Sequence, residues 1–317
     1  MLNSKQIAII GVPSSAGARL TGQERGPAAI RAADLLERLR ARGLDVADHG
    51  DLPTVTFRPD PEHPRQQNLD LVIDVARQVA DQVDRAVASH QFPLVLGGDC
   101  SLSIGVLAGM IRPYPRLGLL YFDGDLDLNT PETTSSGVFD GMVMAHVLGR
   151  GVPELSGIGP RVPLLSEQDI VLFGYDAESG WIDPPEIEIL ERSRMLKVPQ
   201  DRVRVDADGT AREALRHLEA RSKPFLIHFD VDVMNFPAVD VQHPGGLDME
   251  SAFAALRVFV ASRQCAGLVV TELNAERDPD GSHTQRLVDG LVQALGVRTA
   301  RKGQKGMKKA AAAHPRA

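Results

Sequence analysis

Three short segments carry the side chains best suited to chemistry: Gly97-Gly98-Asp99-Cys100-Ser101-Leu102, Phe122-Asp123-Gly124-Asp125-Leu126-Asp127-Leu128-Asn129, and His228-Phe229-Asp230-Val231-Asp232. Residues spaced i, i+2 on an extended chain share a face. Asp123, Asp125 and Asp127 can therefore converge, as can Asp230 and Asp232. Several carboxylates do not stay ionised together unless cations neutralise them or some keep their protons. An oxygen-rich cluster suits hard divalent ions such as Mn and Mg. A lone Asp-x-Asp is ordinarily a helix cap or a solvated turn. Two of them at the ends of separate buried strands point instead to a metal site.

The elements that must position them read as alternating strands and helices. Gln6–Val12, Leu44–Ala47, Phe92–Leu96, Leu117–Phe122, Ile170–Phe173, Met195–Val198, Phe225–Phe229 and Leu268–Thr271 are strand-like, and most are apolar throughout. Gly26-Pro27 opens a helix that Gly43 ends. Further helices are expected at Leu69–Ser89, Ala211–Arg221, Met249–Ser262 and His283–Leu295. This rhythm predicts an α/β fold: a three-layer, doubly wound parallel sheet of about eight strands with helices on both faces. Ligands in such sheets sit at the carboxyl ends of the strands. No linker divides the chain, so residues 1–297 read as one domain and 298–317 as a tail.

Composition narrows the class. The chain has 317 residues, 43% of them hydrophobic but only 4% aromatic, so its core rests on Val, Ile, Leu and Ala. No apolar run reaches the roughly 18 residues of a membrane helix. The first residues lack the layout of a signal peptide, and two cysteines are no disulfide framework. Both point to a cytoplasmic protein. The tail holds Arg298, Arg301, Lys302, Lys305, Lys308, Lys309 and Arg316 and no acid. It reads as a disordered, solvated segment. The net charge of −7 argues against a nucleic-acid partner. No Gly-x-Gly-x-x-Gly follows the first strand, which makes a Rossmann dehydrogenase a poor fit.

The motifs resemble those of the ureohydrolase family of arginases, agmatinases and formiminoglutamases. Ile9-Ile10-Gly11-Val12-Pro13 followed by Gly26-Pro27 resembles its N-terminus. Gly98-Asp99-Cys100-Ser101-Leu102 is similar to its Gly-Gly-Asp-His-Ser-Leu, and Asp123-Gly124-Asp125-Leu126-Asp127 to its Asp-Ala-His-x-Asp. Phe229-Asp230-Val231-Asp232, Gly245-Gly246-Leu247 and the pair Glu272 and Asn274 match further motifs in order and spacing. The resemblance implies a single arginase-like domain whose site holds two Mn(II) ions bridged by hydroxide. Attack on a guanidinium carbon then yields urea and an amine. It also implies metal ligation by Cys100, Asp123, Asp127 and Asp230 at one ion and by Asp123, Asp125, Asp230 and Asp232 at the other. Asp127 would pass a proton to the leaving amine, Glu272 would pair with the guanidinium, and Asn129 and Ser136 would contact a substrate carboxylate. Family members commonly form trimers or hexamers, so a homo-oligomer is expected.

The departures are chemical. Both histidine ligands of the family are replaced, by Cys100 and Asp125. The proton-shuttling histidine is replaced by Asp140, and the Asn of the same loop by Val138. The acid that reads the substrate's amino group falls near Ser179, which argues against free arginine. With Cys100 as a thiolate, six negative charges face the four of two divalent ions. That surplus should blunt the acidity of bound water, and a thiolate favours softer ions such as Zn or Fe; a single metal is an alternative to the pair. Histidine at both positions should relieve it. His228 shares the face of Asp230 and reads as a hydrogen-bonded support or a replacement ligand. His146 and Trp181 carry no usable signal. Three functions remain open: a metal-dependent amidinohydrolase acting on a small guanidino or amidino substrate, a degenerate binding or structural subunit, and altered chemistry such as hydrolysis of an N-hydroxyguanidine.

Overall fold

The structure is a computed structural model that describes residues 6–221 and 224–312, and of 299–312 the backbone only. Eight strands form a single sheet: β1 (Ile7–Gly11), β2 (Val46–Asp51), β3 (Phe92–Leu96), β4 (Gly118–Phe122), β5 (Ile170–Phe173), β6 (Leu196–Val198), β7 (Phe225–Asp230) and β8 (Cys265–Thr271). They lie in the order β2-β1-β3-β8-β7-β4-β5-β6, and every pairing is parallel.

Alternation along each strand explains the three layers. Ile7, Ile9, Leu94, Leu96, Leu120, Phe122, Ile227 and Phe229 enter one apolar cluster. Ala8, Ile10, Val95, Leu119, Tyr121 and Leu226 enter the other. Helices α1 (Gly26–Ala32), α2 (Leu35–Ala41), α8 (Gln200–Val205), α9 (Ala207–Arg221), α10 (Met249–Val260) and α11 (Ser282–Ala312) cover the first face. Helices α3 (Leu69–Ala88), α4 (Ser103–Ile111), α5 (Val143–Val147), α6 (Pro153–Ser156) and α7 (Pro184–Arg192) cover the second. Edge-on contacts of Phe122 with Phe173 and Phe229, and of Phe173 with Phe259, fill the first core. Each such ring contributes about 1.5–3 kcal/mol by burial. Among the described residues no helix is long and apolar enough to cross a membrane.

Several boundaries differ from expectation. The helix expected from Gly26 to Gly43 is two, because Asp34 takes a left-handed φ of 60° between α1 and α2. Strand β2 starts later than Leu44, and β8 starts earlier than Leu268. Helix α4 was not foreseen: Ser103–Ile111 is buried all round, so it has no polar face to mark a helical period. The helix expected at His283–Leu295 is the longer α11. The tail expected from 298 begins on a buried residue, Arg298, which lies over the Phe92 ring, and the backbone of 299–312 continues α11, whereas the side chains of 299–312 and all of 313–317 lie outside the described residues.

Candidate metal centre

Register brings the acidic strand ends together. Phe122 of β4 pairs with Phe229 of β7, Asp230 of β7 pairs with Thr271 of β8, and Leu96 of β3 pairs with Val270 of β8. The four central strands therefore end level, and Cys100, Asp123, Asp230 and Glu272 leave them side by side. Gly98 lets the chain turn at β3, since a Cβ there would stand 1.7 Å from the Ser14 carbonyl oxygen. Buried Asp99 then caps the turn, its carboxylate accepting from the Ser101 and Gly17 amides and the Ser14 hydroxyl.

Cys100, Asp123, His228 and Asp230 form the first donor group, all buried, with ligand atoms within 4.8 Å of one another. The Cys100 thiol donates to Asp230 Oδ2 at 2.5 Å and lies 3.5 Å from His228 Nε2. His228 Nε2 is also 3.2 Å from Asp123 Oδ2. Its Nδ1 meets the Ser103 hydroxyl at 2.9 Å, and its ring stacks on Tyr121 at 4.3 Å and 9°. His228 is therefore both hydrogen-bonded and turned toward the carboxylates, which joins the two roles expected for it.

Asp125, Asp232 and His243 form the second group within the same limit. His243 was not anticipated. It sits in the 234–247 loop, which a Met234–Leu247 bridge folds back across the strand ends. Its Nε2 lies 3.4 Å from Asp125 Oδ2. One signal was present in the sequence: Gly124 stands where the related motif has Ala.

Asp140 and Glu272 converge on the Cys100 backbone, whose amide donates to Asp140 Oδ1 at 2.7 Å and to Glu272 Oε1 at 3.0 Å. Gln23 Nε2 holds the other Glu272 oxygen. Asp127 stands apart from the three donor groups and accepts the Tyr121 hydroxyl on Oδ2. Asp127 and Glu272 take left-handed φ values of 51° and 69°. Such strain, roughly 1 kcal/mol or more for each residue, tends to be kept where a side chain must be aimed.

Cys100, the acids of these groups and Asp127 line one cavity of about 460 Å³, which also exposes Arg19, Asn129, Ser136, Val138, Trp181, Asp183 and Asp240. Asn129 Nδ2 donates to Asp183 Oδ2 at 3.1 Å, and the Ser135 hydroxyl does so at the same distance. Ser136 Oγ touches Thr134 Oγ1 at 3.3 Å. Asp183 is the N-cap of α7. The Ser179 hydroxyl reaches Asp125 Oδ1 at 3.4 Å. Trp181 stands at the rim, its indole donating to the Gln242 carbonyl at 3.2 Å. His146 is structural, bonded to the Met142 carbonyl and the Val152 amide.

The electrostatics fit a cation. Among the described residues the ion pairs made by Asp123, Asp125 and Asp230 are with His228 and His243 alone. Burial first, and the Asp123 carboxylate next, push Asp230 up to about 7. Burial and then neighbouring acids hold Asp127, Asp140, Asp232 and Glu272 well above the usual carboxylate range. Burial and then Asp230 push the Cys100 thiol up. Crowded buried carboxylates with two imidazoles suit divalent ions of the first transition row, which would release those protons.

Comparison with known proteins agrees with this geometry. The profile described as "Arginase family" matches residues 5–296. The chain is 32% identical to an arginase of Bacillus caldovelox over 90% of this chain and 98% of that one. It is also 32% identical to human arginase-1, covering 91% of each. The native Bacillus caldovelox arginase structure superposes with a TM-score of 0.86 at 30% identity, covering 92% of this chain and 98% of that one. A Bacillus subtilis arginase structure gives 0.83 at 29% identity, covering 92% and 99%. With its sheet order, its acidic strand ends and these matches in agreement, the chain belongs to the arginase family.

Proposed function

We propose that the protein is a metal-dependent hydrolase of a linear C–N bond in a small guanidino or amidino compound, releasing urea or a related product. The observation that carries this reading is the convergence of Asp123, Asp125, Asp230 and Asp232 with Glu272 in one cavity. The kept Glu272 favours this over a degenerate subunit, which has no use for a carboxylate aimed at strain. Cys100, Asp123, His228 and Asp230 would hold one divalent ion, with Asp125 and Asp232 at a second, Mn(II) being the first choice. When bound, such a pair supplies charge neutralisation and an activated water.

The chain's own residues do the rest. Glu272, fixed by the Cys100 amide and Gln23, receives the guanidinium through charge-assisted hydrogen bonds. Asp127, whose carboxyl burial pushes up and whose Oδ2 accepts the Tyr121 hydroxyl, takes the position of the acid that hands a proton to the leaving amine. Asp140 stands beside Glu272 and takes the position of a proton relay. Asn129 and Ser136 meet a substrate carboxylate, and Asp183 meets an ammonium group. Free amino-acid guanidines are therefore included among the candidates, against the expectation drawn from Ser179. The test is urea release from a panel of guanidino and amidino compounds by Mn-loaded protein. Release that disappears in Glu272→Gln supports the reading. No release from any compound by protein that does hold Mn contradicts it.

A further inference from the structure

His243 has a relation to the acidic cluster that its own fold does not require. The side chain is 1% exposed, and its buried Nε2 makes no well-directed hydrogen bond, only the ion-pair approach to Asp125. A buried imidazole nitrogen left in this way costs about 1–3 kcal/mol unless something satisfies it. The atom is aimed at Asp125 Oδ2, 3.4 Å away, and shares a common point with Asp125 and Asp232.

The surroundings are shaped to hold the ring there. A Cβ on residue 124 would stand 2.8 Å from both Cδ2 and Nε2 of His243. Only glycine leaves room for the imidazole at that distance. The loop is tied at both ends, by the Asn235 amide to the Leu247 carbonyl at 2.9 Å and the Gly246 amide to the His243 carbonyl at 2.7 Å. The Trp181 indole holds the neighbouring Gln242. Nothing in these ties uses the ring itself.

We propose that His243 is a metal ligand, supplying with Asp125 and Asp232 the imidazole donor of the second divalent ion. The inference rests on the reading of the cluster as a metal centre. It makes Asp125 an oxygen donor opposite a nitrogen donor delivered from a different loop. Gly124 and His243 then form a dependent pair, since the one is small so that the other can reach.

The experiment is metal binding to the full-length chain, stripped and then dialysed against Mn(II). Metal is counted by elemental analysis, and ion pairing is read by electron paramagnetic resonance. Wild type should hold a spin-coupled pair. His243→Ala should lose the coupled signal and half of the metal, or bind the second ion at least about 10-fold more weakly. His243→Leu, which refills the volume, guards against an unfolded variant and should lose the same ion. Gly124→Ala adds a methyl where the ring lies and should do likewise without changing a donor. Variants that hold as much Mn as wild type, with the coupled signal intact, overturn the proposal. Wild type that binds no Mn overturns the metal-centre reading itself, and the two failures are thereby told apart.

Discussion

The thiol of Cys100 and the imidazole of His228 stand 3.5 Å apart, the thiol donating to Asp230 and the imidazole meeting Asp123. The small side chain at 100 leaves the space that the ring from β7 fills. Histidine at 100 was expected to restore a balanced charge, and this contact adds a steric condition to that expectation. Cys100→His should overpack a site already occupied by His228, at a cost of roughly 1–3 kcal/mol. Cys100→His with His228→Ala should recover most of that loss. Denaturant unfolding of the metal-free proteins measures both. A stable single variant would show that the ring does not hold its place.

Stability should depend on pH in opposite senses with and without metal. Asp230 and the buried Glu186 are both pushed up to about 7, chiefly by burial. A carboxyl raised in the folded state favours the protonated fold. Its contribution is fully present below the unfolded value near 4 and is lost as pH rises through about 7. Metal-free protein should therefore lose stability from pH 5 to 8, whereas bound metal, which displaces protons, should stabilise more as pH rises. Glu186 receives the Leu128 and Asp183 amides away from the donor groups. Glu186→Gln should remove a part of the slope, at most roughly 3 kcal/mol, with or without metal. Thermal unfolding against pH checks this, and a metal-free slope of the opposite sign contradicts it.

Asp183 should discriminate among substrates. Asp183→Asn keeps a capping side chain for α7 but removes the charge. For guanidino compounds bearing an ammonium group, kcat/KM should fall about 10- to 100-fold, the value of a lost charge-assisted hydrogen bond. Compounds without that group should be affected little. Equal losses for both classes would assign Asp183 a role in holding Asn129 and Ser135 in place.

The strand ends were legible because their chemistry and their burial coincide in sequence. Phe92–Leu96 and Ile170–Phe173 are continuous apolar runs, and the strands follow those bounds. Asp123 and Asp230 come at the ends of such runs, so their neighbourhood follows from register. His243 has no such marker. It reaches the cluster through a loop closure between Met234 and Leu247, a tertiary contact that no local period announces. Asp183 has no marker either: only its contacts with Asn129 and Ser135 place it at the cavity. The upward push on the Cys100 thiol depends on complete burial among acids, which a spacing pattern does not reveal.

Urea release measured against Mn(II) added to stripped protein tests the central claim most directly. The account predicts no release from metal-free protein. It also predicts a rise that saturates when the donor groups are filled, and its loss when Asp230, shared with Cys100 and His228, becomes Asn. Release that survives complete removal of metal, or that is unchanged in Asp230→Asn, would contradict it.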